Sequence, residues 1–147
     1  FLPKSMAATY GSIGTGSVRD LHNNDGNRVS FNSANYSFPI EVVAGHASVQ
    51  SSFQGILHEI RVTVDCRKTT QYTTPFYVRL WRWSDSQWLS LGVTVLELND
   101  KQKMFRAVFN PASFVSPTGE IRVGFQAETY QAFAVEADMI RVTTVSQ

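Results

Sequence analysis

Between residues 56 and 66 the chain reads ILHEIRVTVDC, with apolar side chains at Ile56, Ile60, Val62, Val64 and Cys66 and polar ones between. Side chains of an extended strand point to opposite faces in turn, so this alternation predicts a half-buried β-strand. Those five residues, with His58 beside them, are expected to face inward; Glu59, Arg61, Thr63 and Asp65 are expected to face outward. Shorter runs of the same kind recur at 27–33, 38–43, 49–53, 92–98, 102–109, 120–127, 132–136 and 139–145. Turn-forming residues separate them: Asn24-Asp25-Gly26-Asn27, Ala44-Gly45-His46, Asn99-Asp100-Lys101 and Ser116-Pro117-Thr118-Gly119. Asn, Asp, Gly and Pro favour turns because they tolerate or preset the dihedrals a reversal needs. Helical signal is confined to residues 17–21, one turn with Ser17 as its cap. Strands spaced by about ten residues predict an all-β fold, a single-domain antiparallel β-sandwich of jelly-roll type with about 8–10 strands over residues 1–147. The polar stretch 67–75 is expected to pass from one sheet to the other, and residues 1–6 to form a loose N-terminal arm.

Residues 76–93, FYVRLWRWSDSQWLSLGV, contain all three tryptophans of the chain. Two apolar runs flank Ser84-Asp85-Ser86-Gln87, which predicts a β-hairpin. With Trp83 opposite Trp88, the register sets Trp81 against Ser90 and Leu80 against Leu91. Tyr77, Arg79, Trp81, Trp83 and Trp88 then share one face, and Val78, Leu80, Leu89 and Leu91 the other. The aliphatic face belongs to a core. The aromatic face is either a second packed layer or a platform on which a flat ligand stacks. Burying one indole removes about 150 Å² or more from water, at most ~4 kcal/mol, so packing is the first expectation. The contact candidates are Trp81, Trp83, Trp88, Arg79, Asp85 and Gln87, foremost the edge at Trp83, Asp85 and Trp88, where the turn must reach the surface.

Composition narrows the function. The chain has 147 residues, with 13 Lys and Arg against 12 Asp and Glu, a net charge of +1. Such a balance gives no field to draw in nucleic acid or an anionic membrane, and no apolar run is long enough for a membrane span. Cys66 is the one cysteine, so no internal disulfide forms and a small core residue is expected there. The first residue is Phe1 rather than Met, which fits removal of a leader or pro-segment and equally a start that is not the native one. His22, His46 and His58 lack the spacing of a zinc site, and His58 reads as a hydrogen-bonded core or boundary residue. GSIGTG at 11–16 has no Lys-Ser/Thr after it to make a nucleotide loop. Carboxylates are scattered, no nucleophile elbow occurs, and no enzyme activity is expected.

Oxygen-bearing Asp20, Asn24 and Asp25 precede the first long strand and Asp138 the last; together they could hold a structural calcium, which needs six to eight oxygens from separate loops. A tight turn and a strand entrance explain the same residues. Arg61, Arg79, Arg82, Arg106, Arg122 and Arg141 recur singly in strands, where their stems cover apolar faces and their heads pair with Glu or aromatic rings. Asn35-Tyr36-Ser37 fits a glycosylation sequon.

The opening SIGTGSVRDLHNNDGNRVSFNS, the hairpin VRLWRWSDSQWLSLG and the ending FVSPTGEIRVGFQAETYQAFAVEADMIRVTT resemble a family of bacterial and phage-associated extracellular β-sandwich modules, jelly rolls like carbohydrate-binding modules and largely of unknown function. The resemblance implies a secreted or surface location and transfers no catalytic residue. The leading expectation is a non-enzymatic extracellular structural or adhesion protein at a cell or virion surface, packing against copies of itself or a larger assembly. The alternative is a carbohydrate-binding module whose aromatic platform lies on the 76–93 hairpin, with glycans as partners. Neither reading involves nucleic acid, membrane insertion or a cofactor beyond the calcium.

Overall fold

The computed structural model describes residues 1–147. Eleven strands make up most of it: β1 Pro3–Tyr10, β2 Ser12–Thr15, β3 Val29–Asn32, β4 Ala34–Ser37, β5 Ile40–Gln50, β6 Leu57–Lys68, β7 Pro75–Arg82, β8 Gln87–Val95, β9 Lys101–Ala107, β10 Glu120–Thr129 and β11 Ala134–Ser146. One sheet runs β1-β5-β10-β7-β8, with β4 also paired to β5; the other runs β2-β3-β11-β6-β9. All pairings are antiparallel. This is the all-β jelly-roll sandwich the alternation predicts. No helix is long and apolar enough to cross a membrane.

The sheets close on an aliphatic and phenylalanine core. Phe125 of β10 meets Phe31 of the opposite sheet edge-on at 4.7 Å and stacks on Phe76 of β7 at 5.8 Å. Val43, Val49, Ile60, Val62, Val78, Leu80, Ile121, Ile140 and Val142 complete this layer, all buried. Burying each such side chain contributes about 1.5–3 kcal/mol, which is what holds the two sheets together. Cys66 lies within it, and burial pushes its thiol pKa well up, so it behaves as a small apolar residue. The turn at Ser17 forms as expected: a 3-10 helix, Val18–Leu21, starts with the Asp20 carboxylate accepting the Ser17 backbone N–H at 2.7 Å.

Four expectations are corrected. Residues 1–6 are no loose arm: Pro3 pairs with Val49, Met6 with Ala47, and the Val142 N–H donates to the Phe1 carbonyl at 3.0 Å. Ala44-Gly45-His46 is no turn, since β5 runs straight through it. Its glycine answers a packing need: a Cβ on Gly45 would fall 2.7 Å from the Ala7 carbonyl and 2.8 Å from the Phe125 ring. Segments 132–136 and 139–145 are one strand, β11, interrupted by a register shift at Asp138. Finally Ile56 precedes β6 and is exposed, as is His58, because Ser146 pairs with Leu57 but Val145 with Glu59. The extra residue reverses the alternation there and turns Leu57 inward instead.

Candidate functional site

In β10, Ile121, Val123, Phe125 and Ala127 point into the core, which leaves Arg122, Gly124, Gln126 and Glu128 on the outer face of the first sheet. Register brings the neighbours in. Gly124 lies between His46 of β5 and Arg79 of β7, and Gln126 between Ala44 and Tyr77. On β7 the same face carries Tyr77, Arg79 and Trp81; β8 adds Trp88 and Ser90, opposite Trp81 and Arg79.

The hairpin register therefore differs by two residues from the expected one. Trp81, not Trp83, faces Trp88, and Leu80 faces Leu89. The turn comprises Trp83-Ser84-Asp85-Ser86 between the paired Arg82 and Gln87, with Ser86 at φ 55°. Arg82 clamps it, donating to both Asp85 carboxylate oxygens at 2.8 and 2.5 Å. Trp83 leaves the ladder, and its backbone N–H donates to the Ser113 carbonyl at 2.9 Å. A two-residue slip leaves every side chain on its own face, so the division into aliphatic and aromatic faces survives. Leu89 and Leu91 pack on the core as expected.

Trp81 and Trp88 meet edge to face, centroids 5.2 Å apart, and Trp83 meets Trp81 at 6.5 Å. The six-membered ring of Trp88 lies over Gly124, and the His46 ring sits 6.0 Å from Trp88. Arg122 spreads over Trp83 and Trp81, its guanidinium carbon 5.0 and 5.8 Å from their rings, a geometry that stabilises a cation by about 0.5–2 kcal/mol. None of the tryptophans belongs to the hydrophobic core, and all three are half-buried. They form a second aromatic layer on the outside of a sheet, apart from the core between the sheets, with ring surface left to water.

Polar groups around this layer are underused. His46 Nδ1, Trp83 Nε1 and Arg122 Nε are buried without a hydrogen-bond partner, at about 1–3 kcal/mol each. Burial, reinforced by the Arg122 charge, lowers the His46 pKa, so its ring is neutral at pH 7. Arg122 reaches a carboxylate weakly, Glu120 at 3.4 Å. Arg79 makes no ion pair and no side-chain hydrogen bond. It borders a small hollow of about 40 Å³ together with Thr9, Ala44, Trp88 and Gly124. Farther along β10 a cleft of about 320 Å³ opens between Ile40, Pro75, Glu128 and Tyr130.

Of the residues expected to make contact, Trp81, Trp83, Trp88 and Arg79 come together. Asp85 is engaged by Arg82. Gln87 lies opposite Arg82, one position out of phase with Trp81 and Trp88, so it faces away from them. His46 and Gly124 carry no sequence signal for this site, because they meet Trp88 only through pairing of β5, β10, β7 and β8.

Asp20, Asn24, Asp25 and Asp138 do not assemble a calcium site. Asp20 turns to Ser17, and Asp25 accepts the N–H of Asn27 at 3.0 Å. Asp138 is fully buried, with the N–H groups of Asp25 and Gly26 aimed at its carboxylate at 3.1–3.4 Å. Donors point where a cation would need oxygens, and no group of three or more His, Cys, Asp or Glu gathers anywhere in the structure.

No family model matches the chain, and no curated protein does. The phage-associated origin implied by the resemblance is thus without support. Solved structures similar in fold include two carbohydrate-binding modules. One is TmCBM61, a carbohydrate-binding module in complex with β-1,4-galactotriose, at 10% identity, 99% coverage of this chain and 91% of that one, TM-score 0.54. The other is a CBM4 carbohydrate-binding module, at 11% identity, 94% and 78% coverage, TM-score 0.55.

Proposed function

We propose that this protein is a non-enzymatic glycan-binding module whose ligand lies along β10 on the outer face of the first sheet, with Trp81 and Trp88 as the stacking surface. The observation that carries this reading is the half-buried Trp88 ring laid over Gly124, with Trp81 beside it and the unpaired Arg79 at its rim. An indole face presents a flat apolar surface to the C–H groups of a sugar ring, and neighbouring donors bond the hydroxyls. From Arg122 to Glu128 the strand advances about 20 Å, room for several linked sugars. The fold shared with two carbohydrate-binding modules supports the same class. A glycan ligand also suits the extracellular location expected from the sequence.

An assembly role, packing against copies of itself or a virion or cell-surface lattice, has less behind it. Its structural basis is dispersed exposed apolar residues such as Phe38 and Phe109, which single out no partner.

Affinity electrophoresis through gels containing soluble polysaccharides tests the proposal. Retardation is expected with at least one polysaccharide, and is lost in Trp88→Ala and Trp81→Ala with the far-ultraviolet circular dichroism unchanged. Retardation that survives both substitutions rejects this platform.

A further inference from the structure

The outer face of the first sheet carries an imbalance of charge and of hydrogen-bond capacity at its aromatic end. Two guanidinium groups, Arg79 and Arg122, flank the tryptophans. One carboxylate, Glu120, serves them, and it reaches only Arg122. Asp85, the acid nearest in sequence, is taken by Arg82. Two donor groups in the same layer, Trp83 Nε1 and Arg122 Nε, are left without acceptors. Glu128, the next acid on this face, stands four residues along β10 from Gly124, about 13 Å away. Arginines elsewhere in the protein that face carboxylates pair with them: Arg28 with Asp100, Arg61 and Arg106 with Glu59, Arg67 with Glu136. Arg79 is half-buried against the hollow at Trp88 and has nothing to pair with.

A partly buried, donor-rich site beside a stacking surface suits a ligand that brings its own negative charge. A guanidinium fork matches a planar carboxylate with two parallel hydrogen bonds, which a hydroxyl cannot supply. From this we infer that the glycan is acidic, a uronate-containing polysaccharide whose carboxylate sits on Arg79 while its ring stacks on Trp88. The inference rests on the glycan-binding reading and adds to it the class of sugar.

The test compares polygalacturonate, alginate and polyglucuronate, each with its own carboxyl-reduced, neutral counterpart, by calorimetric titration at physiological salt. At least one native polymer is expected to bind about tenfold or more tighter than its reduced form. Arg79→Met is expected to abolish that preference, the native polymer losing about tenfold or more in affinity relative to its reduced form. If native and reduced polymers bind alike, the acidic-ligand inference falls and glycan binding stands; if these and a panel of neutral glucans and galactans all fail to bind, both fall. A preference that persists in Arg79→Met overturns the role given to Arg79. Should that variant fail to fold, Arg79→Lys keeps the charge but loses the fork, and an undiminished preference in it equally overturns the bidentate seat.

Discussion

Trp88 and Gly124 sit on strands separated by β7, yet a Cβ placed on Gly124 would come within 2.7 Å of Trp88 Cζ3 and 3.0 Å of Cε3 and Cη2. The indole crosses β7 and lies flat because nothing projects from the strand beneath it. Here the glycine supplies space rather than an unusual dihedral.

Gly124→Ala should therefore lift the Trp88 ring. The expected outcome is a loss of about 1–3 kcal/mol in urea denaturation, as for other overpacked sites, with a red shift of tryptophan emission and weakened polysaccharide retardation. A variant with wild-type emission and wild-type retardation would show that the ring position is immaterial.

Asp85 and Gln87 stand apart from the platform in space though close to it in sequence. Asp85→Ala and Gln87→Ala should leave glycan affinity unchanged in titration, the first because Asp85 is occupied by Arg82, the second because Gln87 faces the other way. A loss of about tenfold in either would return the turn to the binding site.

Glu59 of β6 accepts hydrogen bonds from Arg106 at 2.5 and 3.0 Å and from Arg61 at 2.8 and 3.3 Å. The two guanidiniums, Arg106 foremost, hold its pKa down to about 2. The folded value lies below the unfolded one, so this stabilisation is complete above the ordinary carboxylate pKa and is lost as pH falls through about 2. Urea midpoints measured from about pH 5 to about pH 2 should fall more steeply for the wild type than for Glu59→Gln. Parallel slopes would remove Glu59 from the acid response.

Asp65 has the opposite sign. It is 2% exposed, its Oδ1 has no partner, and burial, then the charges of Asp100 and Asp138, raise its pKa while Arg28 offsets part of the effect. Ionisation is easier in the unfolded chain, so stability is lost as pH rises past the ordinary carboxylate value. Asp65→Asn should raise the thermal midpoint near neutral pH and lose that advantage at about pH 3, where the acid is protonated. A variant less stable than the wild type at pH 7 would mean that the carboxylate finds partners its geometry does not show.

The alternation in β6 and the hairpin segment was enough to read the strands, the sandwich and the two faces of residues 76–91. The capped turn at Ser17 was equally legible, since capping is local. Register was not. Pairing Trp83 with Trp88 and pairing Trp81 with Trp88 bury the same faces, so hydrophobic patterning is indifferent to the choice. The Arg82–Asp85 clamp and Ser86 in the left-handed region accompany the second. Gly45 looked like a turn because the same residue serves a reversal and a crowded strand interior. Asp138 looked like a metal ligand because a carboxylate binds a cation or backbone N–H groups alike, and the fold aims N–H groups at it.

By itself, then, the sequence determined the strands, the architecture, the faces of the hairpin and the set of aromatic rings, all of which follow from a two-residue period and local turn chemistry. Tertiary structure alone decided that His46, Gly124 and Arg122 would meet Trp88, Trp83 and Trp81, and that Arg79 would be left without a partner. Strand order and register between distant segments are fixed by long-range packing across the sandwich, and no local periodicity records them.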